Sequence, residues 1–458
     1  MISSDPGWIG CIDFGTTLSK LAIVRAVPKD ELRAGDIAIL AIGDRDGFAV
    51  ADARLLPSCV YIHDDRIVFG VEAERDGIIN ADRERYAFTS LKQYLSTHDL
   101  SELDAPLPAN IDPTGLYTAR KALKLFLAHL LHQASIVSQA ANVPWPVPLR
   151  IARPAWDRSR AEQGEAALRQ IVSEAMALAG ILGPELGAEG GMTHKKAAAA
   201  LQKAAKAKGR DAAMFKLDET GSTASVLEAT AVASAAIKNT GRRVVVVADI
   251  GGGTSDFGAF MTGLKGRSVL AEISGSSQIL RKAGDHLDML LRGYILDKLH
   301  YVEDDAAARG AVRDLRRRQR VYKEELFTNG TLSVRVGDDA LRVTAAEFAK
   351  SEGVQAFSEQ LRETFLLALK KAVEIARSFS RSAKRAPVEI LFTGGGHALP
   401  MVRGLAQRLP YDWNFRVSDP DFENWPAGDG GAPNRQLVVA VGGAMLELPK
   451  VTAPIASP

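Results

Sequence analysis

Two short segments of the sequence share one pattern of residue types that suits polyphosphate binding. In residues 10–17 and again in residues 247–256, an apolar run of strand type leads into an aspartate, a glycine turn, hydroxyl-bearing residues and a second apolar run. Glycine lets the backbone approach a ligand closely and turn successive amides toward an anion. The candidate donors are Gly15, Thr16, Thr17, Gly251, Gly252, Gly253 and Thr254. Two copies, one in each half of the chain, indicate two facing loops that grip a single polyphosphate.

The aspartate in each copy adds a metal-binding group. Asp13 and Asp249 would hold Mg²⁺ against the phosphates, through water molecules, because Mg²⁺ keeps most of its hydration shell in proteins. A third glycine turn, made of Gly394, Gly395 and Gly396, follows another buried strand and carries neither Asp nor Thr. This turn therefore suits the base and sugar of a nucleotide, and the three turns together predict a nucleotide site.

Other nucleotide and catalytic motifs are missing from the sequence. It has no GxxxxGK[ST] loop, no GxGxxG after a strand and no GxSxG elbow, and its eight histidines do not cluster at zinc spacing. Phosphoryl transfer requires positioning and charge neutralisation more than covalent help. A lysine near the γ-phosphate and a carboxylate that orients water would complete the site, but spacing alone does not identify them.

The elements that position these loops alternate between strand and helix in both halves, which predicts an α/β architecture. The repeated motif predicts two similar lobes with a cleft between them. We expect lobe I to span residues 1–240 and lobe II residues 241–430. Residues 431–458 would add a helix that returns to lobe I, and a short tail. An Ala- and Lys-rich stretch, residues 163–217, is expected to be an insertion in lobe I.

Composition limits the class of protein. The chain has 458 residues, 46% of them hydrophobic and 24% charged, which is ordinary for a soluble globular protein of more than one domain. The net charge of +2 predicts no nucleic-acid partner. We expect a cytoplasmic protein without membrane insertion, because the sequence has two cysteines, no signal peptide in residues 1–7 and no apolar run of ~20 residues.

The order of motifs resembles that of the actin/hexokinase/Hsp70 ATPase superfamily and, in detail, the Hsp70 nucleotide-binding domain. Residues 12–19 are similar to the first phosphate loop of that family, and residues 56–61 to its Pro-Ser strand. Residues 153–156 resemble its Val-Pro-Ala-Tyr stretch, residues 249–256 the second phosphate loop, and residues 394–400 the adenosine motif. The resemblance covers nearly the whole chain in the same order.

This resemblance implies a two-lobed actin-like ATPase fold, made of duplicated ribonuclease H-like domains around a central cleft, that binds ATP or ADP with Mg²⁺. It implies that Lys92 contacts the γ-phosphate and the attacking water, and that Thr254 binds the γ-phosphate. Glu228 would help to orient the water, with Glu219 as a rival for that role. Asp249 would serve catalysis as well as the metal, and Lys323 would contact the nucleoside.

The sequence also departs from the family at the adenine end of the site and at its C-terminus. Ala398 stands where the adenosine motif usually has an arginine. Of the Glu, Lys and Arg that a helix usually supplies to the nucleoside, Lys323 alone is retained, with Glu324 after it. Because the chain stops at Pro458, we expect no built-in peptide-binding domain, and any client would be reached through an unknown protein partner.

The expected function is slow hydrolysis of MgATP between two lobes, in a chaperone-like switch whose opening and closing a partner protein reads. One alternative is a non-hydrolysing or filament-forming actin-like scaffold, which the altered adenine residues favour. Another is a small-molecule kinase, which would need a substrate-binding base that the sequence does not identify.

Overall fold

The structure is a computed structural model. It describes residues 7–43, 52–96, 99–153, 156, 159–206, 225–238, 241–263, 270–301, 306–379, 387–421, 425 and 435–451. Three sequence-based expectations lie outside these ranges: residues 207–217 of the predicted insertion, Pro154 and Ala155 of the 153–156 stretch, and Glu219.

The described chain contains both strands and helices in each half, so it has the mixed α/β structure that the sequence predicts. The strands are β1 (Trp8–Asp13), β2 (Leu18–Arg25), β3 (Ile37–Ile39), β4 (Leu56–Pro57), β5 (Val60–Ile62), β6 (Arg66–Phe69), β7 (Leu149–Arg153), β8 (Met192–Thr193), β9 (Ser225–Leu227), β10 (Val244–Ile250), β11 (Ser255–Met261), β12 (Ala271–Glu272), β13 (Gln278–Leu280), β14 (Thr331–Val336), β15 (Asp339–Thr344), β16 (Val388–Thr393), β17 (Phe415–Ser418) and β18 (Lys450–Val451). The helices are α1 (Gly70–Ile79), α2 (Leu91–Ser96), α3 (Ala119–Ala140), α4 (Ala161–Leu182), α5 (His194–Lys206), α6 (Glu228–Ala236), α7 (Gly284–Lys298), α8 (Ala306–Asn329), α9 (Ala345–Phe348), α10 (Glu352–Phe379), α11 (Pro400–Arg403) and α12 (Val438–Gly443).

Two large sheets have the same topology. The first has the order β3-β2-β1-β7-β9, with β4 beside β2, and the second has the order β12-β11-β10-β16-β17, with β18 beyond β12 and β13 beside β11. In each, the central strand pairs antiparallel with the next strand of its hairpin and parallel with a strand much later in the chain. The next pairs outward also have the same directions in the two sheets. The pairs β2–β3 and β11–β12 are antiparallel, and the pairs β7–β9 and β16–β17 are parallel. Five strands thus repeat in order and direction.

Helices α6 and α12 pack between the two sheets. Helix α12 packs on β1, β2 and β7 of the first sheet, α6 packs on β10 and β11 of the second, and the two helices pack on each other. Their approach is so close that a Cβ atom at Gly442 would lie 1.8 Å from the carbonyl oxygen of Ala231. The resulting apolar cluster draws side chains from both sheets, including Cys11 and Val247.

Local sequence explains the strands that carry the site. Strand β10 is buried along its whole length, as its valine-rich sequence predicts for a strand covered on both faces. The Ala-rich composition of residues 223–238 predicts one helix, but the described part of this stretch, residues 225–238, is different in the structure. Ser225–Leu227 form β9 and α6 begins only at Glu228. The prediction was wrong there because a three-residue edge strand carries too short a pattern to be distinguished from the helix that follows it.

The described part of the predicted insertion belongs to the core of the first half. Helix α4 packs on α3 and α5, and Leu168, Ile171 and Val172 are buried in the same apolar cluster as the first sheet. Among the described residues, one stretch, Ala161–Gly187, is long and apolar enough to cross a membrane by length and composition, and 44% of its most apolar window is buried. Its packing against α3 accounts for this apolar face.

Candidate functional site

The three predicted glycine turns lie at the ends of central strands in the two repeated sheets. We call residues 14–17 the first loop, residues 251–254 the second loop and residues 394–396 the third loop. The first loop joins β1 to β2, the second joins β10 to β11, and the third follows β16, which is parallel to β10. Because the first two loops occupy equivalent places in the repeated topology, each presents its aspartate at the same position of a hairpin.

The first and second loops touch each other. The hydroxyl of Thr17 donates a hydrogen bond to Asp285 Oδ1, at 3.0 Å, at the start of α7. A Cβ atom at Gly252 would lie 2.3 Å from Thr17 Oγ1, and one at Gly253 would lie 2.5 Å from Thr16 Oγ1. Both distances are far below van der Waals contact, so the two loops can meet in this way only with glycine at these positions.

The third loop lies against the aspartate of the second hairpin. Gly394 has a φ of +78°, and a Cβ atom there would be 2.5 Å from Asp249 Oδ1. The amide of Gly396 donates to the carbonyl of Ile250 at 2.9 Å. The sequence predicted that this loop serves the sugar and base, and the structure places its first glycine close to the predicted metal carboxylate.

Two lysines are paired with carboxylates in the site. Lys20 Nζ lies 2.9 Å from Asp13 Oδ2, and Lys92 Nζ forms an ion pair with Glu228. All four side chains are largely buried. Burial lowers the pKa of Lys92, and the carboxylates of Asp13, Asp249 and Asp256 oppose that shift. The structure therefore brings together the predicted lysine and glutamate, although 136 residues separate them in the sequence.

Like charges meet in the second hairpin. Asp249 and Asp256 are directly paired in the register of β10 and β11. Burial, followed by repulsion from Asp256 and Asp13, raises the pKa of Asp249 to about 7. The pKa of Asp256 is also raised by burial, while a hydrogen bond from Thr254 and the charge of Lys92 act against the shift. The hydroxyl of Thr254 is thus engaged with Asp256 in this structure.

Lys323 is held beside the second loop. Its Nζ donates to the carbonyl of Gly284 at 3.0 Å and to Asp288 Oδ2 at 2.9 Å. Gly284 in turn packs on Gly251, whose carbonyl oxygen would be 3.3 Å from a Cβ atom at position 284. Lys323 therefore connects helix α8 to the loop that follows β10.

All the predicted site residues line one cavity of about 730 Å³, a usual size for a small-molecule site. Those residues are Asp13, Gly15, Thr16, Thr17, Lys92, Glu228, Asp249, Gly251, Gly252, Gly253, Thr254, Lys323, Gly394, Gly395 and Gly396. The cavity is bounded by both halves of the chain, since its walls include residues on both repeated sheets.

The donor set fits one kind of magnesium site. No group of three or more His, Cys, Asp or Glu side chains is arranged as metal ligands within the described ranges. This excludes an all-protein cage among those residues but not the usual magnesium arrangement, in which one or two carboxylates share the ion with water and substrate phosphates. Asp13 and Asp249, which both line the cavity, would supply those carboxylates. Burial, followed by repulsion from Asp256 and Asp13, raises the pKa of Asp249, and a cation bound there would favour its charged form.

Sequence reasoning missed three groups at this site. Lys20 and Asp256 stand seven residues after Asp13 and Asp249, where the strand register places them opposite those aspartates. The equal spacing in the two motifs was the available signal. The third group is a set of arginines on α7 and α8 that also lines the cavity: Arg292, Arg313, Arg316, Arg317, Arg318 and Arg320.

Comparison with known proteins adds no assignment. No protein-family model matches the chain, and no curated protein matches it. The functional conclusion therefore depends on the geometry of the cavity and on the residues that line it.

Proposed function

We propose that the protein is an Hsp70-like ATPase with a two-lobed actin-like fold, in which the two repeated sheets are the cores of duplicated ribonuclease H-like domains. The observation that carries the proposal is the pairing of equivalent loops. Two hairpins of the same topology present Asp13 and Asp249 to one cavity, and their glycine loops touch. A single polyphosphate would be gripped from both sides by backbone amides and hydroxyl groups.

The chemistry follows from the charges around the cavity. Magnesium shared between Asp13, Asp249 and the ligand would neutralise charge on the phosphates. Lys92 would stabilise the charge that develops on the transferring phosphoryl group, and Glu228 fixes the position of its ammonium group. Lys20 adds a second ammonium group beside Asp13. Thr254 would exchange its hydrogen bond with Asp256 for one to the γ-phosphate.

In this proposal the contact between the loops is the switch. The hydrogen bond from Thr17 to Asp285 joins the two halves of the chain, so a phosphate inserted between the loops must rearrange it. Binding and hydrolysis would then move one lobe relative to the other, and a partner protein would read the change.

Calorimetry with ATP, ADP and GTP, each with and without Mg²⁺, tests the proposal. We expect binding of the triphosphates to strengthen at least tenfold when Mg²⁺ is present, since two of the site carboxylates would otherwise repel the phosphates. Release of inorganic phosphate from ATP without an added acceptor should accompany binding, which also distinguishes hydrolysis from kinase activity. Absence of binding by all three nucleotides would refute the proposal.

A non-hydrolysing actin-like scaffold is the second candidate. The observation that favours it is the set of internal contacts in the site, where Lys92 is paired with Glu228 and Lys323 with Asp288. A protein that keeps these pairs after binding ATP would hold the nucleotide without hydrolysing it. Nucleotide-dependent sedimentation with no phosphate release would support the scaffold, and phosphate release from a species that stays monomeric would exclude it.

A further inference from the structure

Helix α8 presents a row of arginines to the cavity. Arg313, Arg316, Arg317 and Arg320 recur at intervals of three and four residues, so they share one face of the helix. All four line the same cavity as the glycine loops, and Arg292 of the neighbouring helix α7 joins them. This arginine row is not needed to bind the phosphates of ATP, for which the loops and two lysines are already in place.

The arginine row begins beside the phosphate loops and extends away from them. Lys323 fixes the start, because it contacts Gly284, which packs on the second loop. At 1.5 Å per residue, Arg316 lies about 10 Å farther along the helix axis than Lys323, and Arg313 about 15 Å farther. Because the loops and the arginine row line one cavity, a nucleotide whose triphosphate occupies the loops can extend its ribose along α8 to the arginines.

Arg292, Arg316 and Arg320 keep charge or donors available to a ligand, whereas Arg317 also pairs with Asp314 at 3.7 Å. The guanidinium of Arg316 lies 5.5 Å from the centre of the Tyr86 ring, and Arg292 Nη1 donates to the amide oxygen of Gln319 at 2.6 Å. Both partners are neutral. Arg320 pairs with Glu324 at 3.0 Å through Nε, but its Nη1 is buried and has no hydrogen-bond partner among the described residues.

The acidic side chains near the arginine row do not take the place of a ligand. Glu74 also lines the cavity, and its Oε2 is buried without a hydrogen-bond partner in the part of the chain that the structure describes. Burial raises the pKa of Glu74, and the charge of Arg320 only partly offsets this shift. Six guanidinium groups line this end of the cavity, and the carboxylates of Glu74 and Glu324, together with Asp314 beside Arg317, balance only part of their charge, so this end of the cavity is positive.

We propose that the arginine row binds a second phosphoryl group, on the ribose of the nucleotide, so that the preferred ligand is phosphorylated at the 5′ position and also at the 2′ or 3′ position. This inference depends on the proposed nucleotide site. Arginine binds phosphate through two parallel charge-assisted hydrogen bonds, which a neutral adenine does not offer. Position 398 is an alanine, so it has no arginine side chain that could cover the base.

The test compares ligands on the intact protein. Dissociation constants are measured by calorimetry for ATP, for adenosine 5′-triphosphate carrying a 3′-phosphate, and for the same compound phosphorylated at the 2′ position, all with Mg²⁺. We expect at least one bisphosphorylated nucleotide to bind ten times or more tighter than ATP. The position that binds tighter identifies the phosphoryl group that is recognised. Equal affinity for all three would overturn this inference and leave the ATP site standing, whereas failure of all three to bind would refute the nucleotide site itself.

Variants show whether the arginines cause the preference. In the combined variant Arg316→Ala/Arg320→Ala, the ratio between the two dissociation constants should fall at least fivefold. The matched control, Arg377→Ala, removes an exposed arginine of α10 outside the cavity and should keep the wild-type ratio. If the arginines serve only to hold α8 against Tyr86, the double variant would lose thermal stability and keep the ratio, and the proposal would be wrong.

Discussion

Asp256 lies directly opposite Asp249 in the β10–β11 hairpin, in the same place that Lys20 occupies opposite Asp13 in the β1–β2 hairpin. The repeated topology thus contains one attractive pair and one repulsive pair at equivalent positions. The attractive pair forms an ion pair of 2.9 Å, and the repulsive pair contributes to the raised pKa of Asp249. Lys20 and Lys92 only partly offset the burial and repulsion at Asp249, and a bound cation or a proton would offset them further.

Replacement of Asp249 should separate stability from function. At pH 8 the Asp249→Asn variant should be more stable than the wild type by roughly 1–3 kcal/mol, because it removes a buried charge that faces another carboxylate. It should also lose the effect of Mg²⁺ on nucleotide binding. Urea unfolding at pH 8 gives the first result and calorimetry the second.

The equivalent change in the first hairpin is the matched control. Asp13→Asn leaves the buried ammonium of Lys20 without its carboxylate, and we expect a loss of roughly 3–5 kcal/mol of stability. Opposite signs for the two variants would support the charge assignment. If both variants destabilise the protein equally, the repulsion between Asp249 and Asp256 does not control stability.

Lys92 should be required for hydrolysis and not for binding. Lys92 and Glu228 are exposed by only 2% and 8%, so Lys92→Ala leaves an unpaired buried carboxylate as well as removing the ammonium group. We expect hydrolysis at least 100-fold slower under single-turnover conditions, with nucleotide affinity changed by less than fivefold. Turnover at the wild-type rate would exclude the assigned role.

A double variant shows that this loss is not caused by unfolding. Lys92→Met/Glu228→Gln removes both charges of the buried pair and should recover most of the stability that Lys92→Ala loses. It should remain inactive. Recovery of hydrolysis together with stability would mean that Lys92 supports the fold only.

Because the first and second loops are in contact, we expect nucleotide affinity to depend strongly on the glycine at position 252. Gly252→Ala places a methyl group 2.3 Å from Thr17 Oγ1, so the loops must separate and nucleotide affinity should fall at least tenfold. Gly251→Ala is the control, because the nearest atom to its Cβ would be the carbonyl oxygen of Thr254, at 3.3 Å. Adding Thr17→Ala to Gly252→Ala removes the closest contact and should restore thermal stability. If Gly251→Ala is as damaging as Gly252→Ala, contact between the loops is not the cause.

Trp156 should position Lys92 through helix α2. Its indole Nε1 donates to the carbonyl of Leu95 at 2.7 Å, near the end of the helix that carries Lys92, and its ring packs on Gly164. Trp156→Phe deletes the donor and should slow hydrolysis several-fold with little change in nucleotide affinity. Trp413→Phe, in the second half of the chain, should leave both unchanged. A loss of affinity without a loss of rate in Trp156→Phe would contradict this role.

The parts of the site that depend on local turn chemistry could be predicted from sequence. Asp13, Asp249 and the glycines around them belong to short hairpins, in which residue type and backbone conformation are linked directly. Identifying Lys20 and Asp256 as the residues opposite the two aspartates requires the register of each hairpin. The loop length determines this register, but it has to be worked out from the pairing of the two strands.

Long-range contacts could not be predicted in this way. The pairing of Lys92 with Glu228 and the hydrogen bond from Thr17 to Asp285 join segments far apart in the chain, and no local pattern encodes them. The arginines of α8 were visible in the sequence as a basic run. Their direction toward the cavity depends on how α8 packs on α7, which tertiary contacts decide.

Stability should fall in mild acid because of His129. This side chain lies in α3 with Nδ1 2.7 Å from the carbonyl oxygen of Leu186, and its ring stacks on Phe69. Burial lowers the pKa of His129 from 6.5 to about 4. Between these two values the unfolded chain binds a proton that the folded protein does not, so stability decreases as the pH falls from 6.5 to 4, by about 3 kcal/mol in total.

Denaturant unfolding between pH 4 and pH 7 measures this dependence. His129→Gln removes the titrating ring, so the pH slope of the free energy of unfolding should decrease by about 1.4 kcal/mol per pH unit within the window. His300→Asn changes an exposed histidine with a φ of +57°, a conformation that asparagine tolerates, and should keep the wild-type slope. An unchanged slope in His129→Gln would show that other groups cause the acid sensitivity.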